Sequence, residues 1–404
     1  MHQARGSGVS GGGAGEGRTG VHTDRWGEAI ERMLGRIQDT AGRVRQGFPH
    51  WADPETGEWV TTPDGDWTGG YWVGMLWLAH RATGEARYRT WAEPLVQRLR
   101  SRVDAETVFK GFPMYYGCAL GAILAGHPAA REIGLLAAKS LAKLYDPALR
   151  LIPLGRQAEE GSHVGTTETS IDSLQAAPFL FWAAREAGDA ALRDVAFNHA
   201  DRVIALHLRE DRSFIQSTSL DPRTGDVVRH YTHKGYSERS TWGRAQAWGA
   251  LFSTLSYILG SREERWIGSA TRGADWWIEH VPADRVAFWD FDDPAIPNTE
   301  RDTAATAIAT AALLKLGAAA PSEAQRACYR EAAEATAQAL VGRYLTPTSP
   351  RDKRAPGMLT ESCFNKRPDA RPQDAANKCE FIVADYYLFE SLLALAGKID
   401  PTSI

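Results

Sequence analysis

The sequence predicts an all-α protein, an (α/α)6 barrel of inner and outer helices with a small β-hairpin near the mouth. Three observations lead there. First, one unit returns about six times: a Gly- or Thr-rich loop, an apolar helix, a short polar turn, and a second, amphipathic helix. The loop-facing starts lie near Trp67, Phe112, Asp172, Trp242, Asp302 and Glu380, spaced too unevenly for a strict solenoid. Second, turns as brief as Ala82-Thr83-Gly84-Glu85 and Ala187-Gly188-Asp189 make the two helices of a pair antiparallel neighbours. Third, one helix of a pair is rich in Ala, Gly, Leu and Trp (245–259, 304–316), whereas its partner carries the charge (323–340). That is the division expected between a buried inner ring and a solvated outer one. The loops before the inner helices then converge at one mouth.

In chain order, residues 1–22 are a Gly/Ser-rich tail with arginines and no apolar h-region, expected to be disordered and not a signal peptide. Residues 23–398 are expected to form a single barrel domain. Thr23-Asp24-Arg25-Trp26 reads as a helix cap, and Trp26, Ile30, Met33 and Ile37 follow at intervals of three and four. Asp66-Trp67-Thr68-Gly69-Gly70-Tyr71-Trp72 turns into the first inner helix, where Trp77 keeps helical spacing with Val73 and belongs to the core. Asp172 stands at the entrance of an apolar helix over 174–185. Residues 213–216 and 227–231 read as strands around Asp221-Pro222-Arg223-Thr224-Gly225, a hairpin at the mouth. The segment 346–377, rich in Pro, Arg and Asp, is expected to be a lid or a mobile loop.

Composition narrows the function. The 404 residues are 43% hydrophobic and 24% charged with a formal charge of −4, which suits a soluble globular protein with ample core. So balanced a surface gives no electrostatic reason to bind nucleic acid or an anionic membrane. Cys118, Cys328, Cys363 and Cys379 are scattered without a Cys-x-x-Cys pair, so reduced thiols are expected, with no metal and no cofactor. No run approaches transmembrane length. The expectation is a cytoplasmic monomer or homodimer.

Three segments carry candidate chemistry. Trp67 and Trp72 are loop indoles whose flat faces can stack on sugar rings; the plainer alternative is a plugged helix start. Asp172, in Thr169-Ser170-Ile171-Asp172-Ser173-Leu174, puts a carboxylate at a helix entrance, where a plain N-cap worth about 1 kcal/mol is the competing explanation. In Ser240-Thr241-Trp242-Gly243-Arg244-Ala245-Gln246-Ala247-Trp248, Arg244 and Trp248 share a helix face. Arg beside two indoles suits a clamp on a sugar carboxylate, against the alternative of Arg stacked on Trp for packing. Asp302 is read as a cap rather than a catalytic group.

These motifs, with Gly235-Tyr236-Ser237, Phe288-Trp289-Asp290-Phe291, Asp302-Thr303-Ala304-Ala305 and Ala384-Asp385-Tyr386-Tyr387, together resemble those of the unsaturated glucuronyl hydrolases. That group is glycoside hydrolase family 88, related to family 105, and the resemblance runs in order through most of the chain. It implies an (α/α)6 barrel that hydrates the C4=C5 bond of a non-reducing-end unsaturated uronic acid. Asp172 matches the family's general acid/base, Arg244 and Trp248 the groups holding the carboxylate and ring, and Trp67 and Trp72 subsite aromatics. Trp242, within these motifs, and His233 and Lys234, just before Gly235, are further substrate-binding candidates. An acidic oligosaccharide or glycoside is the implied partner.

The chain also departs from the family. Where relatives have His-Asp-x-Gly-Phe, it reads Val108-Phe109-Lys110-Gly111-Phe112. Lys234 stands where Gln is common, and Gln216 where His is often found. Two alternatives therefore stay open: a divergent member acting on another acidic sugar or glycosylated small molecule, and a catalytically silent carbohydrate-binding barrel.

Overall fold

The computed structural model describes residues 22–159, 164–367 and 376–404. The predicted tail at 1–22 lies outside these, His22 excepted. Among the described residues twelve helices build two rings. The inner ring is α2 (Gly69–Thr83), α4 (Val108–Ala125), α6 (Ala176–Ala187), α8 (Gly243–Leu259), α10 (Thr303–Ala319) and α12 (Ile382–Leu395). The outer ring is α1 (His22–Arg43), α3 (Ala86–Leu99), α5 (Pro128–Ala142), α7 (Ala190–His207), α9 (Glu264–His280) and α11 (Glu323–Arg343). Each inner helix packs on the next, and α12 returns to both α2 and α1, closing the ring.

The pattern of burial explains which helices are inside. Every residue of α8 from Gly243 to Ser256 and of α10 from Thr303 to Leu316 is buried. In α1, by contrast, only one stripe containing Trp26, Ile30, Met33 and Ile37 is buried, as its spacing predicts. The helix α4 contains an 18-residue apolar window of the length and composition of a membrane span, contrary to the sequence expectation; 78% of it is buried inside the barrel, as an inner helix requires. All four cysteines remain thiols.

Two small antiparallel sheets rim the mouth. In the first, β1 (Phe48–Ala52) pairs with β2 (Trp59–Thr62) and with β6 (Glu380–Phe381). The second has the order β3-β4-β5: Thr169–Ser170, Ser217–Leu220 and Val227–Tyr231. The predicted hairpin is therefore present, but its first strand is 217–220 and not 213–216. Phe214 turns inward instead: its backbone N–H donates to Gln246 Oε1 (2.7 Å), and its ring fills the space left by Gly249 and Gly273. The first sheet is absent from the sequence prediction because its strands are short and one contains a proline.

The glycines of the Trp-rich turn let helices touch. A Cβ on Gly70 would lie 2.4 Å from Pro113 Cα, so α2 and α4 meet backbone to backbone. Backbone cannot step aside as a flexible side chain does. Gly70→Ala is expected to cost about 1–3 kcal/mol, the range for overpacking a filled interior, measured by urea unfolding. An unchanged unfolding free energy would mean that α2 and α4 separate freely.

Candidate active site

The entrances of the inner helices converge on a pocket lined by Trp67, Phe109, Phe112, Glu159, Asp172, Lys234, Trp242, Arg244, Trp248 and Phe364. Of the eight residues singled out as site candidates, six line this wall. Trp67 comes from the turn before α2, where Asp66 adopts φ 48°. Phe109 and Phe112 open α4, Asp172 precedes α6, Trp242 is the N-cap of α8, and Phe364 lies ahead of α12.

Asp172 is not a helix cap. It sits inside a 3-10 turn, Ile171–Gln175, whose N-cap is Ser170. The turn is held from outside its side chain: Ile171 N–H donates to Gln216 O (2.8 Å) and Ser173 Oγ to Ser170 O (2.6 Å). The cap explanation thus falls away for Asp172. It holds for Asp302, whose Oδ1 accepts from Ala304 N–H (3.0 Å) at the start of α10.

The aromatic wall is continuous. Trp67 is stacked with Phe364 (centroids 6.5 Å apart, planes 19°) and meets Phe112 edge-on at 5.4 Å. Phe112 meets Trp248 at 5.7 Å, and Trp248 stacks on Phe252 at 4.9 Å. Such faces suit the C–H side of a sugar ring. Beneath them Tyr71, Tyr116 and Tyr387 join their hydroxyls in the barrel centre, with Tyr71 Oη 3.4 Å from Tyr387 Oη. Burial pushes all three phenols well above their ordinary range, so they stay protonated.

Two cations reach the cavity. Lys234 Nζ lies 5.4 Å from the Phe364 ring centroid and 5.8 Å from that of Trp242. Arg244 lies 4.6 Å over Trp242, with both Nη atoms bonded inside the protein. Nη1 donates to Asp302 Oδ2 (3.2 Å) and Cys363 O (2.7 Å), and Nη2 donates to Phe364 O. Three of the guanidinium's N–H donors are thus held within the protein, while Arg244 still lines the pocket. Asp302, wholly buried beside it, takes one of them. Desolvation raises the Asp302 pKa, with Arg244 and backbone N–H groups opposing it.

Two more candidates are placed differently from the expectation. Trp72 is buried within α2 and absent from the cavity wall, because it points into the helix packing. His233 stands behind the wall, its Nδ1 2.9 Å from Ser217 Oγ. Gln216 has a bracing part. Its Oε1 accepts from the Thr232 hydroxyl (2.7 Å) and from the backbone N–H groups of His233 (3.2 Å) and Lys234 (3.0 Å), bracing the loop that carries Lys234. Lys110 faces away from the cavity, donating to Val103 O (3.1 Å) and Ser140 Oγ (2.9 Å); burial lowers its pKa to about 8.

Sequence reasoning missed Glu159 and Phe364. Both lie in irregular segments with no periodicity to mark them, and only the closed ring brings them to the cavity.

No protein-family profile matches the chain. An unsaturated glucuronyl hydrolase of Bacillus sp. (strain GL1) is 31% identical over 380 residues, covering 92% of this chain and 96% of that protein. The unsaturated chondroitin disaccharide hydrolase of Streptococcus pyogenes serotype M1 is 26% identical, with 93% and 92% covered. The crystal structure of the unsaturated glucuronyl hydrolase from Bacillus sp. GL1, described as responsible for glycosaminoglycan degradation, superposes with TM-score 0.83 at 30% identity, covering 92% of this chain and 96% of that one.

Proposed function

Because the chain belongs to the unsaturated glucuronyl hydrolases, glycoside hydrolase family 88, we propose that it removes a non-reducing-end unsaturated uronic acid, with Asp172 as general acid and base. The observation carrying this is the meeting of Asp172, Lys234 and the Trp67–Phe112–Trp248 wall in one cavity. The C4=C5 bond makes C5–O part of a vinyl ether. Asp172 gives its proton to C4, and water, deprotonated by the resulting carboxylate, adds at C5. The hemiketal opens, and the hemiacetal left at C1 expels the aglycone as an alcohol. One carboxyl group serves both steps, so the two-carboxylate arrangement of ordinary glycosidases is unnecessary.

Lys234 is the cation we assign to the uronate carboxylate, from its place on the pocket wall beside Trp242 and Phe364. Lys234→Gln is expected to raise KM by about 10- to 150-fold, the equivalent of a charge-assisted hydrogen bond of about 1.5–3 kcal/mol, with kcat little changed. A methyl-esterified substrate should be poor for the native protein and indifferent to the substitution. Equal use of acid and ester would remove the carboxylate from the recognition.

Phe109 and Val108, both buried, support a second reading in which the leaving group is a glycosylated small molecule or another acidic sugar conjugate. An apolar wall there suits an aglycone with few hydroxyls. We further infer that the protein acts in the cytoplasm, as a monomer or homodimer; its four free thiols suit a reducing compartment. The test is loss of the conjugated enoate absorbance on mixing with lyase-generated disaccharides, sulfated and unsulfated, and with unsaturated uronides of small alcohols. Silence on all of them would leave a carbohydrate-binding barrel.

A further inference from the structure

The segment between α5 and α6 sends Glu159 into the same cavity as Asp172, although it belongs to no inner-helix entrance. The segment is built to do so. Gly155 has φ 92°, and a Cβ there would lie 2.3 Å from Glu106 O. Gln157 N–H donates to Glu106 O (2.9 Å), and Gln157 Oε1 accepts from Glu106 N–H (2.7 Å). Glu159 itself is tied to Arg102 (Nη2–Oε1 2.5 Å), and Thr107 Oγ1 stands 3.5 Å from its Oε2.

We propose that Glu159 is a second substrate-contacting carboxyl group, hydrogen-bonding a hydroxyl of the bound sugar and so helping to set substrate specificity. This rests on reading the cavity as the sugar site. The polar inventory of the wall supports it. Arg244 is largely committed, Lys234 can only donate, and Phe109 gives its stretch of wall no polar group. A sugar hydroxyl both donates and accepts, and a neutral carboxyl group matches it on both counts. Burial and the neighbouring Asp66 favour that neutral form, against Arg102. Asp64 pairs with Arg102 at 3.1 Å, so Asp64, Asp66 and Glu159 gather about one guanidinium. Burial first, and Asp66 second, push the Glu159 carboxyl well above its ordinary range, with Arg102 opposing. Asp172 and Lys234 share the cavity and complete the charged groups on its wall.

The test uses the full chain, Glu159→Gln and Glu159→Ala, with an unsaturated disaccharide and its 2- and 3-deoxy analogues, across pH. A raised pKa means that the working, protonated form is lost as pH rises through it. Native kcat/KM should therefore decline on the alkaline side. Glu159→Gln, whose amide both donates and accepts at every pH, should remove the share of that decline set by Glu159 and leave the share set by Asp172. Glu159→Ala should raise KM about tenfold, and one deoxy analogue should erase the difference from the native protein. Unchanged KM and pH profile in both variants would overturn the proposal. Equal loss in both, with a lowered melting temperature, would reduce Glu159 to an anchor for Arg102. If the native protein turns over no unsaturated uronide, the functional reading fails alone. Titration calorimetry of the same disaccharide against native protein and Glu159→Ala then decides this point: equal affinity overturns it, weaker binding by the variant sustains it.

Discussion

Asp172→Asn is expected to lower kcat by about two to four powers of ten, the usual contribution of a positioned general acid/base, while leaving the melting temperature unchanged. The structure separates these effects. The 3-10 turn Ile171–Gln175 is held by Gln216 O, Ser170 O and the pairing of Thr169–Ser170 with Ser217–Thr218, none of which involves the Asp172 carboxyl. Asparagine is nearly isosteric and stays in place, but it cannot supply a proton to C4 or take one from water. Rates should be compared at saturating substrate, with circular dichroism and melting curves alongside. Native-like turnover by a folded variant would return Asp172 to the scaffold.

Arg244→Gln is expected to destabilise the fold by about 3–5 kcal/mol, the cost of stranding one member of a buried ion pair. Arg244 is 2% exposed and Asp302 not at all. Removing the guanidinium leaves the carboxyl of the α10 cap facing an apolar interior and frees the Cys363 and Phe364 carbonyls. Phe364 forms the cavity wall, so activity should fall with stability. Pairing the change with Asp302→Asn should recover part of the lost stability, because the uncompensated charge goes with it. Urea unfolding of the two single variants and the double variant measures this. A single variant as stable as the native protein but with a raised KM would reinstate Arg244 as an open clamp for the substrate.

The helical architecture was legible because it rests on period and alternation. The buried faces of α8 and α10 and the brief turn at Gly188 announce themselves locally. Asp172, Trp242 and Trp248 were also legible, since each sits where a loop enters an inner helix. The failures have different causes. Trp72 lies five residues from Trp67 and shares its composition, yet the helix rotates it into the packing. Arg244 could be read as a cation near indoles. Its engagement depends on Asp302 and on carbonyls 119 and 120 residues away, partners that no local pattern reveals. Glu159 reaches the cavity only because Arg102, Glu106 and Gly155 pin its segment in space.

The joint between α1 and the chain's last strand and helix bears on how the molecule folds. Arg36 Nε donates to Glu380 Oε1 at 2.9 Å across 344 residues of sequence, and Trp51 pairs with Phe381. Closing so long a loop costs entropy that no local contact repays beforehand. A chain emerging from the ribosome can pair neighbouring helices as they appear, but its ring stays open until residues 380–395 are made. Until then α1 and α2 lack α12, and the mouth lacks the Phe364 and Phe381 side. A closed ring has no terminal repeat to fray, so the cavity and the barrel should be gained or lost together. Binding competence should thus arrive late in folding and in one step, where an open helical array would acquire it piecemeal.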